Sequence, residues 1–234
     1  MNIAAIGDIH ISTQHPGRFS ELFKSISEVA EVLILAGDLT DSGEPEDAEE
    51  LLRELEVCTI PVVGVLGNHD YERGNEHAIT TIVSKRMTVL DGTSTVVGNV
   101  GFAGIKGFAG GFDTHVLTPF GEKAIKTFVQ EAVNDTLRLE QSLAQLDTEK
   151  KVVVLHYAPI RATVIGESPE IFPFLGCTRL VEPINRFGAL SVFHGHAHHG
   201  TFEGKTETGI PVYNVASPLL QGLFPDKPYC LTTV

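Results

Sequence analysis

Apolar runs and helical spacings alternate through the first third of the chain. Ile3 to Ile6 is a short apolar run with strand character. Glu21 to Ala30 follows with helical spacing, placing Leu22, Phe23, Ile26 and Val29 on one face. Val32 to Ala36 is a continuous apolar strand. Pro45 then opens a second helix, at the position where proline is tolerated, with Ala48, Leu51, Leu52 and Leu55 as its stripe. Val62 to Leu66 is a third strand. A strand–helix–strand–helix–strand opening implies parallel strands joined by crossover helices.

The second half reads differently. Val96 to Ile105 has the look of a strand or hairpin. Lys123 to Leu146 forms one long amphipathic helix with Phe128, Ala132 and Val133 in its apolar face. Lys151 to Leu155 and Leu190 to Phe193 are apolar strands. Thr201 to Glu207, Pro211 to Val215 and Tyr229 to Val234 are short β-like runs with no helix expected between them, which suggests antiparallel pairing. Lys106–Phe120 and Ile160–Cys177, rich in Gly and Pro, read as ordered loops of the kind that often carry function. The expected fold is α/β: a two-sheet β-sandwich of mixed strands flanked by helices. Residues 1–234 are read as one domain, since no repeat, low-complexity tract or linker interrupts them.

Composition narrows the class. Hydrophobic residues at 42% and charged residues at 20% match an ordinary soluble globular chain. No apolar run approaches the roughly 20 residues needed to cross a bilayer. Met1 leads directly into the first strand, with no basic segment or small-residue cleavage site ahead of it, so no signal peptide is expected. Cys58, Cys177 and Cys230 are widely separated and fit neither a disulfide framework nor a paired-cysteine metal site. The expected location is the reducing cytoplasm. A net charge of −13 argues against long nucleic acids and anionic membranes as partners. It leaves an anionic small molecule open, because bound cations reverse a local field.

The candidate chemistry lies where the apolar runs stop. The first ends in Gly7-Asp8-Ile9-His10, the second in Gly37-Asp38-Leu39-Thr40-Asp41, the third in Gly67-Asn68-His69-Asp70. The run at Lys151 ends in His156, and the run at Leu190 in His194-Gly195-His196-Ala197-His198-His199. Sites in open α/β sheets lie at the carboxyl ends of strands, so five strands deliver Asp, His and Asn toward one edge. Residues two apart in an extended segment point the same way, which lets Asp8 and His10, or His196 and His198, reach one ion. Mixed nitrogen and oxygen ligands suit Mn, Fe or Zn better than Ca or Mg.

Plainer readings compete with these. Asp8, Asp38 and Asn68 are good helix caps, and a lone His156 is more often packed than ligating. His194 and His199 flank the His196-x-His198 pair and are read as non-ligands, His194 as structural, and His15, His77 and His115 are read as exposed. Phe172 and Phe174 are assigned to loop packing before substrate contact. Arg161 and Arg179 are assigned to surface ion pairs before phosphate. Asp47-Ala48-Glu49-Glu50 is read as a solvated helix start.

The ordered set Asp8-x-His10, Gly37-Asp38-x-x-Asp41, Gly67-Asn68-His69-Asp70, His156 and Gly195-His196-x-His198 resembles the calcineurin-like metallophosphoesterases. The Gly37-Asp38-Leu39-Thr40-Asp41-Ser42-Gly43 run is similar to the compact bacterial phosphodiesterases among them. The resemblance implies a two-sheet fold and two divalent or trivalent metal ions, with Mn, Fe or Zn expected. Asp8, His10 and His198 would hold one ion, Asn68, His156 and His196 the other, and Asp38 would bridge them. His69 would act as acid or transition-state stabiliser, with Asp70 orienting its ring and Asp41 in a supporting role. Hydroxide bridging the ions would attack a small phosphate ester, with phosphodiester cleavage favoured. Phosphomonoester hydrolysis of a small metabolite and a non-catalytic scaffold are the alternatives, and a homodimer is admissible.

Overall fold

Alternation of side chains across the pleat sorts the apolar runs into two sheets. The computed structural model describes every residue from Met1 to Val234. The elements in chain order are β1 (Asn2–Ile6), α1 (Ser20–Ser27), β2 (Val32–Ala36), α2 (Pro45–Glu54), β3 (Val62–Val65), α3 (Glu76–Val83), β4 (Thr88–Val89), β5 (Thr93–Val97) and β6 (Val100–Gly104). Then come α4 (Lys123–Ala144), β7 (Lys150–Val154), α5 (Phe172–Leu175), α6 (Val181–Arg186), β8 (Ser191–His194), β9 (Glu203–Lys205), β10 (Pro211–Asn214), α7 (Ser217–Leu223) and β11 (Cys230–Thr233).

The first sheet has five strands in the order β11-β1-β2-β3-β4, and the second has six in the order β5-β6-β7-β8-β10-β9. β1, β2, β3 and β4 run parallel, as the opening pattern requires. In the second sheet β6, β7, β8 and β10 are parallel, with β5 and β9 antiparallel at the two edges. The expected α/β fold of two mixed sheets flanked by helices is what the chain adopts.

Phe102, Val152, Val154 and Phe193 face inward from the second sheet and join the core shared with Ile3, Ile6, Leu33 and Val63 of the first. The alternate residues Ala103, Val153, Val192 and Val212 face outward, under Leu139 and Leu143 of α4 and Ile184 of α6. Period-two alternation therefore makes each central strand of the second sheet serve two cores.

Several expectations change. Of the three tail runs, β9 and β10 pair antiparallel as expected, but β11 crosses to the first sheet and pairs antiparallel with β1, while β10 pairs in parallel with β8. Helices α3 and α7 were not expected; α7 separates the last two strands. Val29 is exposed rather than part of the α1 face, and on α4 Val129 replaces Val133 as a buried position. The largest revision concerns α2. Asp47 and Glu50 are buried, not solvated: Asp47 accepts from the Thr13 backbone N–H and Glu50 from that of Gly17. Glu54, one turn on, accepts from the Phe19 N–H. Helical spacing puts these three carboxylates on one stripe, where they satisfy the backbone of the loop leaving β1. β11 forms the outer edge of the first sheet and β9 that of the second. No helix is long and apolar enough to cross a membrane.

Candidate metal centre

The carboxyl ends of β1, β2, β3, β7 and β8 meet at one edge of the sandwich, and the loops leaving them are stitched together through backbone. Asp8 N–H donates to Gly37 O, His10 N–H to Asp38 O, and Gly195 N–H to His156 O. Gly7 forms a bridge to Ala216, which ties the end of β1 to the segment leaving β10. The sheets are thus locked together at the edge that bears the polar residues.

The chain leaves these strands steeply. Five non-glycine residues have positive φ, and four are Asp8 (52°), His10 (43°), Asp38 (47°) and His196 (70°). Such conformations cost on the order of 1–3 kcal/mol each and concentrate at functional sites. Glycines make the crowding possible. A side chain at Gly67 would collide with the Asp38 carboxylate, and one at Gly195 with that of Asp8.

Three groups of side chains bring ligand atoms within 4.8 Å of one another: Asp8, His10 and His198; His10, Asp38 and His69; Asp38, His156 and His196. Asn68 joins the last group, its Oδ1 lying 2.9 Å from His156 Nε2. His198 Nε2 lies 2.9 Å from Asp8 Oδ1, His156 Nε2 3.4 Å from Asp38 Oδ1, and His10 Nε2 3.8 Å from Asp38 Oδ2. All seven expected ligands are therefore gathered at one place.

Hydrogen bonds decide which atoms are free. His156 Nδ1–H donates to Ala36 O across the sheet interface at 2.9 Å, which leaves the Nε2 lone pair facing two oxygen acceptors. His196 Nε2–H donates to Phe174 O at 3.2 Å, leaving Nδ1 free. Both ring nitrogens of His10 are buried without any hydrogen-bond partner. Lone pairs converging on lone pairs, with an orphaned imidazole beside them, are unfavourable in a buried site. A cation at their centre removes the conflict, so the residues present fit a metal. Burial supports this assignment. It pushes the pKa of His10 down to about 4 and of His196 to about 3, and that of His156 well below its usual range. These rings are thus neutral, as metal ligands must be. Burial also pushes the Asp8 carboxyl up to about 6, opposed by its bond to His198 and reinforced by the Asp38 charge.

His69 stands at the rim. Its Nδ1–H donates to the Asp41 carbonyl at 2.6 Å, and its ring meets His10 edge-on at 4.5 Å. Burial opposes its protonation but is outweighed by the Asp41 carbonyl and the charges of Asp38 and Glu72, so its pKa is raised. The expected role of Asp70 changes here. Its carboxylate accepts from the N–H groups of Leu39, Thr40 and Gly67 and from the Thr40 hydroxyl, and does not touch the His69 ring. Asp70 pins the loops after β2 and β3 together, while the Asp41 backbone sets the ring. Asp41 also brings its side chain to 3.6 Å from His10 Nδ1.

The remaining histidines behave as read from sequence. His194 is buried, bonded to Gly195 O and the Thr163 hydroxyl, and His15, His77 and His115 are exposed. Phe172 packs in a small core with Phe112, while Phe174 is exposed and supplies the carbonyl that holds His196. Neither Arg161 nor Arg179 forms an ion pair: Arg161 lies over the Phe172 ring and Arg179 donates to Leu117 O. The carbonyls of Ala36, Asp41 and Phe174 escaped sequence reasoning because every residue has one. Only tertiary position selects them.

The model of the calcineurin-like phosphoesterases matches residues 1–200. The chain belongs to that family. The family uses divalent metals, and the three side-chain groups described above could hold them. No curated protein sequence matches the chain. Among solved structures, the fold is similar to phosphopantetheinyl hydrolase from Mycobacterium tuberculosis, with 17% identity and a TM-score of 0.67 over 99% of this chain and 95% of that one. It is also similar to a putative 5′-nucleotidase from Staphylococcus aureus, with 15% identity and a TM-score of 0.55 over 92% of this chain and 48% of that one. A third is the purple acid phosphatase PPD1 from yellow lupin seeds, with 14% identity and a TM-score of 0.54 over 85% and 38% of the two chains.

Proposed function

We propose that the chain is a metal-dependent hydrolase of small phosphate esters, acting on diesters in preference to monoesters. The observation that carries this reading is the convergence of unprotonated nitrogen and oxygen atoms around Asp38. Asp8, His10 and His198 would hold one ion, Asn68, His156 and His196 a second, and Asp38 would serve both; Mn, Fe or Zn suits the mixed set. Bound ions supply Lewis acidity that ionises water and neutralises charge on the phosphoryl oxygens.

The chain's own residues do the rest. His69, fixed through Nδ1, presents Nε2 and its proton to the departing oxygen. Asp70 keeps the loops bearing Asp38, Asn68 and His69 in register without entering the reaction. The names of the three solved neighbours, all hydrolases of phosphate-containing compounds or phosphatases by designation, support hydrolysis. Residues 1–234 act as one domain, a reading supported by the pairing of β11 with β1. The three cysteines are free and buried, which supports a reducing, cytoplasmic location.

The test is hydrolysis of bis(p-nitrophenyl) phosphate beside p-nitrophenyl phosphate. Protein is stripped with chelator and reloaded with Mn, Zn or Fe, with Asp38→Ala as control. Metal-dependent diester cleavage absent from Asp38→Ala is expected. Faster monoester cleavage would replace the diester preference with a phosphatase assignment. No turnover by a loaded site would leave the fold as a scaffold.

A further inference from the structure

One wall of the metal centre opens into a cleft that no expected ligand explains. It is a cavity of about 420 Å³ whose lining includes Asn68, Tyr71, Lys106, Phe108, Phe128 and Tyr157. Asn68 is a candidate ligand, so the cleft is continuous with the place where phosphate would sit. Tyr71 follows directly from His69 and Asp70, and Tyr157 from His156. Lys106 sits where the chain runs on from β6 and accepts the backbone N–H groups of His156 and Tyr157. The cleft is therefore built by the same strand ends as the metal site.

Its walls are aromatic, and the polar groups set among the rings, on Lys106, Tyr71 and Tyr157, offer donors, while Thr127 and the Glu131 carboxylate line the cleft as exposed residues. Phe108 and Phe128 pack at 4.9 Å between centroids, and Phe128 meets Phe174 at 6.4 Å. The Lys106 ammonium lies 5.3 Å from the Tyr71 ring, 5.1 Å from Phe108 and 5.1 Å from Tyr157, which fixes a normally mobile group. Its Nζ donates to one protein acceptor, Gly107 O at 2.9 Å, and has two further hydrogens. The hydroxyls of Tyr71 and Tyr157 line the cleft and make no hydrogen bond within the protein. Lys106 is the one cation in this lining, in a chain of net charge −13.

We infer that this cleft binds the organic group of the phosphate ester, and binds it as a flat aromatic group carrying hydrogen-bond acceptors. The inference rests on the hydrolase reading for the position of the phosphate. Aromatic walls favour a planar partner over an aliphatic chain. A buried-edge ammonium and two phenolic hydroxyls favour acceptors on that partner, because a ligand lacking them leaves the donors unpaired.

The experiment is calorimetric binding of three non-hydrolysable phosphonates to the Mn-reloaded protein: methylphosphonate, benzylphosphonate and 4-nitrobenzylphosphonate. Affinity is expected to rise along the series, by about fivefold to tenfold per step. Phe128→Ala should erase the gain from methyl to benzyl, and Lys106→Met the gain from benzyl to nitrobenzyl, with methylphosphonate binding the same in both. Equal affinity for all three ligands overturns the inference, as does a uniform loss in either variant. Ordered binding without turnover of bis(p-nitrophenyl) phosphate keeps the cleft and removes the hydrolase reading. Turnover with a flat series removes the cleft alone.

Discussion

The two sheets contribute opposite chemistry to the shared edge. On the side of the first sheet six carboxylates are buried: Asp8, Asp38, Asp47, Glu50, Glu54 and Asp70. On the side of the second there is one, Asp135 on α4, while its strand ends supply His156, His196 and His198. The first sheet thus concentrates negative charge and backbone-bracing carboxylates, and the second supplies three imidazoles, of which burial keeps His156 and His196 neutral. Neither half is a metal site alone. Docking of the sheets through Phe102, Val154 and Phe193 completes the set, so the apolar core is also what assembles the chemistry.

Removing the group at the meeting point should have the largest effect. Asp38→Ala is expected to lower metal content, measured by elemental analysis, and to reduce turnover more than the ~10–100-fold typical of a merely supporting residue. Full metal retention would mean that the imidazoles of the second sheet suffice. His69→Ala should keep its metals and lose about 10²–10⁴-fold in kcat, with little change in KM. An emptied site in that variant would make His69 a ligand rather than a proton donor.

Packing between the sheets can be weakened without touching a polar atom. Phe193 is fully buried and stacks on Tyr213 at 5.5 Å. Phe193→Ala is expected to cost about 3–5 kcal/mol in urea unfolding and to weaken metal binding in parallel. Unchanged metal affinity at that loss of stability would separate site assembly from the core.

The smallest effect concerns the lone carboxylate of the second half. Burial pushes the Asp135 carboxyl up to about 6 from 3.8. A raised folded-state pKa means that its contribution is full below the unfolded value and lost as pH rises through about 6. The metal-stripped protein should therefore lose on the order of 1–3 kcal/mol from this residue between about pH 4 and 7. Asp135→Asn should flatten that slope in urea midpoints; an unaltered slope would assign it to the carboxylates of the first half.

Legibility from sequence followed locality. The Asp38 and Asn68 positions could be read because a glycine and an apolar run mark a strand end, and the order of the five blocks is a one-dimensional fact. Asp47 and Glu50 were misread as solvated because their partners, the N–H groups of Thr13 and Gly17, lie more than a helix away. Asp70 was misread for the same reason. Its neighbour in sequence is His69, but besides the nearby Gly67 its partners are Leu39 and Thr40, 31 and 30 residues away. Helix α3 was not expected, although Ile79 and Val83 both reach the core.

By itself the chain's sequence determined the strand and helix periods of its principal elements, the parallel opening and the identity of the side chains at each strand end. These depend on residue type and on spacings of two or three to four positions, which the backbone geometry of one element sets. Tertiary structure alone decided which carbonyl fixes each imidazole, which carboxylates brace loops instead of facing water, and that an aromatic cleft adjoins Asn68. Those depend on atoms far apart in sequence, brought together by docking two sheets, and a buried polar group takes whatever partner the packing delivers.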